Sequence, residues 1–201
     1  MTIKAAVFDI GGVLELTPST GWREAWEKKL ELRPGGLREK MYNTWRAGSI
    51  GTITLTDVIT QTAEILSISK AQVNEMMNDL WIEYLGTLNQ ELYDYFKNLH
   101  SNYQTAILSN SFVGAREKEQ EKYAFGDNCD FIIYSHEVGM SKPDPKIYQL
   151  TCQRLELEPN EIIFVDDTPV ILKGAQDCGM HGVLFKNNEQ TIRDIEDLLN
   201  R

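Results

Sequence analysis

Ile3-Lys4-Ala5-Ala6-Val7-Phe8-Asp9-Ile10-Gly11-Gly12-Val13-Leu14 stands near the start of the chain, an apolar run that ends in a carboxylate followed by paired glycines. A strand that is apolar on both faces belongs inside a sheet covered from both sides. A carboxylate at its end then falls on the edge where open α/β sheets place their ligands. Two later runs end in the same way, residues 104–109 before Asn110-Ser111 and residues 161–166 before Asp167. Residues 130–134 and 181–185 bring the short apolar segments to five. Amphipathic stripes separate the later ones, Leu88, Leu92, Phe96 and Leu99 in one case and Ile192, Ile195, Leu198 and Leu199 in another. The expectation is an α/β fold, a Rossmann-like, doubly wound parallel five-stranded core with its polar strand ends on one edge.

Between the first and second strands the pattern changes. From Pro18 to Leu85 the periodicity is helical throughout: Trp22, Trp26 and Leu30 recur every fourth residue, as do Leu37, Met41 and Trp45. Thr54-Leu55-Thr56-Asp57 and Ser69-Lys70-Ala71-Gln72 read as capping boxes that open two further helices. So much helix exceeds a simple crossover and implies an inserted all-α cap at residues 16–85, with the core formed by residues 1–15 and 86–201. All four tryptophans fall in the cap, where they serve either as its core or as a cradle for an aromatic substrate.

The composition bounds the function. With 201 residues, 42% of them hydrophobic, the chain can bury a large interior. A net charge of -10 argues against a nucleic-acid surface while leaving room for a small phosphorylated ligand beside a local cation. Cys129, Cys152 and Cys178 lack metal-site spacing and read as buried free thiols of a reducing compartment. No basic-then-apolar leader opens the sequence, and no apolar run approaches a membrane span. The expectation is a cytoplasmic protein, a monomer or homodimer, whose partner is a small molecule rather than nucleic acid or membrane.

Four segments carry the chemistry. Asp9 at a strand end can be a nucleophile, a metal ligand or a helix cap, and taken alone such a residue is more often a cap or a solvated group. Ser109-Asn110 is common turn chemistry. Ser141-Lys142-Pro143-Asp144-Pro145 is less common, because its two prolines stiffen the approach to a helix over 146–155 and fix where Lys142 points. Asp166-Asp167 places two acids directly after a buried strand, an arrangement whose repulsion a cation would relieve.

In this order the four segments resemble the motifs of the haloacid dehalogenase (HAD) superfamily, in the branch whose helical cap (type C1) is inserted between the first two motifs. Asp9 matches the first motif, Ser109 the second, Lys142 the third and Asp166-Asp167 the fourth, so the resemblance covers essentially the whole chain. The cap segment Trp45-Arg46-Ala47-Gly48-Ser49-Ile50 is similar to the caps of sugar-phosphate phosphatases and epoxide-hydrolase-associated phosphatases. The resemblance implies a Mg²⁺-dependent phosphomonoesterase acting on a small phosphorylated metabolite. It makes Asp9 the nucleophile that forms an aspartyl-phosphate. It makes Asp9, the Gly11 carbonyl, Asp167 and Asp166 the metal site, Ser109 and the Asn110 amide the phosphate site, and Lys142 the neutralising cation.

The chain departs from that pattern twice. Most members carry a second Asp two residues after the nucleophile, as the acid that protonates the leaving group. Here Gly11 occupies that position, and acid–base help of this kind is worth about 10²–10⁴-fold. Ile171 stands where an Asn or Asp commonly supports the metal, which implies weaker Mg²⁺ binding. His136, after the third strand, is a candidate substitute acid, and Arg23 and Arg46 are candidate contacts to a substrate anion. The run from Glu117 to Lys122 reads as a solvated helix face. Two alternatives remain open: a degenerate, non-catalytic module that binds metal or phosphate, and a 2-haloacid dehalogenase.

Overall fold

The computed structural model describes residues 2–200. The chain runs through β1 (Ala5–Phe8) and β2 (Glu15–Leu16) into four helices, α1 (Trp22–Lys29), α2 (Gly36–Ser49), α3 (Leu55–Leu66) and α4 (Lys70–Leu85). It returns through β3 (Thr87–Leu88) and α5 (Gln90–Leu99) to β4 (Gln104–Ser109), α6 (Ala115–Tyr123), β5 (Phe131–Tyr134) and α7 (Ser135–Val138). The last part comprises α8 (Pro145–Leu155), β6 (Ile162–Asp166), α9 (Pro169–Asp177), β7 (His181–Leu184) and α10 (Asn188–Leu199).

Five strands form one parallel sheet in the order β5-β4-β1-β6-β7. Successive side chains of a strand point to opposite faces, and here each face has its own core. Ala5 and Val7 pack with Leu108, Tyr148 and Phe164, whereas Ala6 and Phe8 pack with Phe96, Ile107 and Val165. That double coverage is why β1 reads as unbroken apolar sequence rather than an alternation. Its backbone pairing continues one residue beyond the strand, where Asp9 N–H donates to the Val165 carbonyl at 3.0 Å. The carboxylate is thereby fixed at the sheet's C-terminal edge between β4 and β6.

The inserted helices follow the sequence pattern closely. Both capping boxes form, with Asp57 N–H donating to the Thr54 hydroxyl at 3.1 Å and Gln72 N–H to that of Ser69 at 3.2 Å. Trp22, Trp26, Leu37, Met41 and Met76 make one cap core, and Val58, Val73, Met77 and Trp81 make a second that takes in Phe112 from the core side. Helix α2 is seated firmly against the sheet edge. The Ser135 hydroxyl donates to the Ser49 carbonyl at 2.7 Å, and a methyl group on Gly48 would meet the Phe112 ring at 2.6 Å.

An antiparallel ribbon, β2 with β3, joins the two chain passages between sheet and helices, with Glu15 opposite Leu88 and Leu16 opposite Thr87. The five-strand reading did not contain it, because two residues per strand leave no periodicity to detect. Asn89 secures the ribbon, its side-chain NH₂ donating to the Val13 carbonyl at 2.9 Å. Gly86, at φ +45°, lets the return strand pass close over Glu15, since a Cβ there would lie 2.7 Å from the Glu15 carboxyl carbon. The three cysteines are unpaired, as expected, but half-buried rather than fully buried. Among the described residues no helix is long and apolar enough to cross a membrane.

Candidate active site

Lys142 organises the site. Its side chain is fully buried, and its ammonium donates to Asp166 Oδ2 at 2.7 Å while lying 2.9 Å from Asp9 Oδ1. An isolated buried ammonium is costly, and two carboxylates on neighbouring strand ends supply its compensation. The loop that delivers it is clamped by Asn110. Lys142 N–H donates to Asn110 Oδ1 at 2.8 Å, and Asn110 Nδ2 donates to the Lys142 carbonyl at 2.9 Å. The role read for Asn110 concerned its main-chain amide; its side chain has this second, structural task. Asp144 then caps α8, accepting from Lys146 N–H at 3.0 Å, with Pro145 opening the helix.

The paired acids separate by environment. Asp166 is completely buried, one oxygen on Lys142 and the other accepting from Thr168 N–H at 2.8 Å. Asp167 is exposed and is held by the Thr168 hydroxyl at 3.0 Å. Oxygens of Asp9, Asp166 and Asp167 all lie within 4.8 Å of one another. Three carboxylates, two of them bridged by Lys142, form an all-oxygen donor set with negative charge in excess, which fits Mg²⁺ or a similar hard cation. Gly12, at φ +77°, makes room for this arrangement, because a Cβ there would sit 2.9 Å from the Asp167 carboxyl carbon. Burial pushes the Asp9 pKa up to about 7, Lys142 opposing the rise and Asp166 adding to it. Asp9 Oδ1 accepts from Ile10 N–H at 2.8 Å as well as facing Lys142, so Oδ2 is its less encumbered oxygen.

A cavity of about 100 Å³ adjoins this cluster, lined by Ile10, Gly11, Glu15, Ser109, Asn110 and Glu119. Two of its walls were not anticipated. Glu119 belongs to the run read as solvated, yet it is buried, accepts from the Tyr134 hydroxyl at 2.6 Å, and is raised by burial to about 7. Helix α6 turns this single residue of the charged run inward. Glu15 is also buried and, by desolvation, raised to about 7; its Oε2 accepts from the Thr17 hydroxyl at 2.8 Å, and its Oε1 has no partner. A Cβ placed on Gly11 would lie 3.9 Å from Glu15 Oε2. The space beside position 11 is therefore bordered by another carboxyl, brought from β2. The sequence signal was an acid flanked by Leu14 and Leu16 just after the glycine turn.

The other candidates sort clearly. The Ser109 hydroxyl makes no hydrogen bond to another described residue and borders the small cavity. His136 binds the Ser111 hydroxyl through Nδ1 at 2.6 Å, burial lowers its pKa, and it lines neither that cavity nor the larger one described next. Ile171 packs into the apolar core on the α8–α9 side. A second cavity of about 490 Å³ lies between cap and core and includes Arg23, Arg46, Trp22, Trp45, Tyr84 and Phe112 in its lining. Thr17 and Tyr84 line both cavities, which therefore lie side by side. Trp26 and Trp81 belong to the cap's own packing, Trp26 donating to Asp79 at 2.7 Å.

Residues 3–179 match the family model for haloacid dehalogenase-like hydrolases. The chain is similar to bifunctional epoxide hydrolase 2 of Sus scrofa, 31% identical across 98% of this chain and 39% of the relative, so it spans about two fifths of that protein. A phosphatase of Mycobacterium tuberculosis is 25% identical, covering 98% of this chain and 96% of the relative. Among solved structures, a magnesium complex of a HAD family enzyme from Bacteroides thetaiotaomicron superposes with a TM-score of 0.81 at 24% identity, covering 97% and 99% of the two chains.

Proposed function

The chain belongs to the haloacid dehalogenase-like hydrolase family, and from that premise we propose that it is a phosphomonoesterase acting on a small phosphorylated metabolite through Asp9. The observation that carries this reading is the lysine-bridged acid cluster, in which Lys142 joins Asp9 to Asp166, beside a phosphate-sized cavity that Ile10, Gly11 and the unpaired Ser109 hydroxyl border. Asp9 Oδ1 is held by Ile10 N–H and Lys142, and Oδ2 attacks phosphorus as the bond to the leaving oxygen breaks. Water then hydrolyses the aspartyl-phosphate and frees inorganic phosphate. The Ser109 hydroxyl and the Asn110 main-chain amide hold phosphate oxygens, while Lys142 lowers the repulsion between two anions as they meet. Asp166 keeps Lys142 in place.

Mg²⁺, held by Asp9, Asp167 and the Gly11 carbonyl, would supply further charge neutralisation at the phosphoryl group. The magnesium complex of the Bacteroides thetaiotaomicron enzyme supports that choice of ion. Asp166 acts on the metal site indirectly, since its oxygens are engaged by Lys142 and Thr168. Gly11 offers no proton to the leaving oxygen, and Glu15 stands in for it. Its carboxyl borders the same cavity, holds a proton up to about pH 7, and turns Oε2 towards position 11 while Oε1 is buried beside Gly86.

Hydrolysis of 4-nitrophenyl phosphate tests the reading. Turnover that requires Mg²⁺, stops with chelator and vanishes in Asp9→Asn supports it. Silence of the wild type across a broad panel of phosphomonoesters, with Mg²⁺ present, would leave a binding module instead.

A further inference from the structure

The larger cavity carries information about substrate that the chemistry of Asp9 does not. Its walls are mostly apolar, with Trp22 and Trp45 at 6.0 Å between ring centroids and Phe112 and Tyr84 on the side towards the core. Its charged lining is of the opposite sign to the protein. Against a net charge of -10, three arginines and one glutamate border this space. Arg23 and Glu83 neutralise each other at 2.9 Å, and Glu83 is further fixed by Thr20. Arg38 and Arg46 have no carboxylate partner among the described residues.

Those two arginines are not scattered. Arg38, Tyr42, Trp45, Arg46 and Ser49 fall at helical spacing along one face of α2, and all five line the cavity. Ser49 is the end fixed to the core through Ser135, so Arg46 lies within one turn of the sheet edge and Arg38 about 12 Å further out along the helix. The cavity adjoins the phosphate-sized one, with Thr17 and Tyr84 in the lining of both. A phosphoester seated at Asp9 would therefore project its leaving group past Tyr84 and Phe112, towards Trp45, and then to Arg46.

We infer that the preferred substrates are phosphomonoesters whose leaving group has a flat apolar body and a second anionic group, a carboxylate or another phosphate, which Arg46 holds, with Arg38 extending the positive stripe outward. This rests on the phosphomonoesterase reading and narrows it. A polyol phosphate offers neither a body for the aromatic walls nor an anion for the guanidinium, whose planar fork suits such oxygens. It would leave the arginines solvated and the rings wet.

Two esters with leaving groups of similar basicity test the inference, phenyl phosphate and 3-carboxyphenyl phosphate, with ribitol 5-phosphate as the polyol comparison. The expected result is a kcat/KM for the carboxylated ester about five- to tenfold above that for phenyl phosphate, expressed in KM, with the polyol ester below both. In Arg46→Ala the ratio of the two aryl esters falls to about one, and Arg46→Lys restores part of it. Equal kcat/KM for the two aryl esters, an unchanged ratio in Arg46→Ala, or preference for the polyol would overturn the inference. Binding separates it from the catalytic reading. The same esters are titrated against Asp9→Asn protein by tryptophan fluorescence, which Trp22 and Trp45 report. An Arg46-dependent preference there, in a protein whose wild type turns nothing over, sinks the catalysis and keeps the pocket. Equal binding of the two aryl esters in both backgrounds sinks the pocket.

Discussion

Replacing Lys142 with Met keeps all but the last atom of the side chain's length and removes the charge that two buried acids share. In the native protein the ammonium lies 2.9 Å from Asp9 Oδ1 and 2.7 Å from Asp166 Oδ2, with no exposed side-chain surface. Deleting one member of a buried ionic group costs about 3–5 kcal/mol, because the remaining charge stays desolvated and unpaired. Here two carboxylates would remain, so the upper part of that range is expected at pH 8. The pH dependence follows from the direction of the Asp9 shift. Its pKa is about 7 even with Lys142 present, and loss of the cation drives it higher. The folded variant then binds more protons than its unfolded chain above about pH 4, and its stability falls as pH rises. Denaturant unfolding of both proteins at pH 5 and pH 8 reads this directly. The difference in stability should be clearly larger at pH 8 and shrink at pH 5, where Asp9 is protonated in the variant. A destabilisation under about 1 kcal/mol at pH 8, or one that does not change with pH, would refute the reasoning that Lys142 is the compensating charge of the site.

Other outcomes follow from single observations. Gly12→Ala introduces a Cβ 2.9 Å from the Asp167 carboxyl carbon at a φ of +77°, so Mg²⁺ affinity measured by calorimetry should fall at least tenfold, with a stability loss of about 1–3 kcal/mol. Glu119 has a folded pKa of about 7 against an ordinary 4.5, so its ionisation opposes folding. Stability should decline by up to about 3 kcal/mol as pH rises from 4.5 through 7, and Glu119→Gln should flatten that part of the pH profile of the denaturation midpoint. Glu15→Gln should lower kcat for an alkyl phosphate by about 10²-fold or more and that for 4-nitrophenyl phosphate far less, because only the alkoxide needs a proton on leaving. Equal losses for the two esters would assign Glu15 a structural role.

How far the chain could be read depended on the length of each pattern. The β1 run, buried on both faces, announced both the sheet and the place of Asp9, and the capping boxes at Thr54 and Ser69 marked two helices to the residue. Lys142 was legible because prolines at 143 and 145 restrict its loop, although the Asn110 clamp that finishes the job is a contact across 32 residues with no local trace. Glu15 and Glu119 were missed for different reasons. Glu15 sits in a ribbon too short to have a period, and its burial is set by Gly86, far along the chain. Glu119 looks like its charged neighbours in α6, and only the Tyr134 hydroxyl from β5 distinguishes it. Of the four tryptophans, sequence could place all in the cap but could not tell Trp22 and Trp45, which face the cavity, from Trp26 and Trp81, which do not line it.

The central claim is that the carboxylate at the end of β1 becomes covalently bonded to phosphorus. Acid-quenching the enzyme during steady turnover of 4-nitrophenyl phosphate with Mg²⁺, reducing it with borohydride and sequencing its peptides by mass spectrometry tests that bond. An acyl phosphate on Asp9 is reduced to homoserine at position 9, and that conversion, present with substrate and absent without it, is the predicted result. Turnover accompanied by an unmodified Asp9, or by a phosphoryl group found on Ser109 instead, would contradict the account.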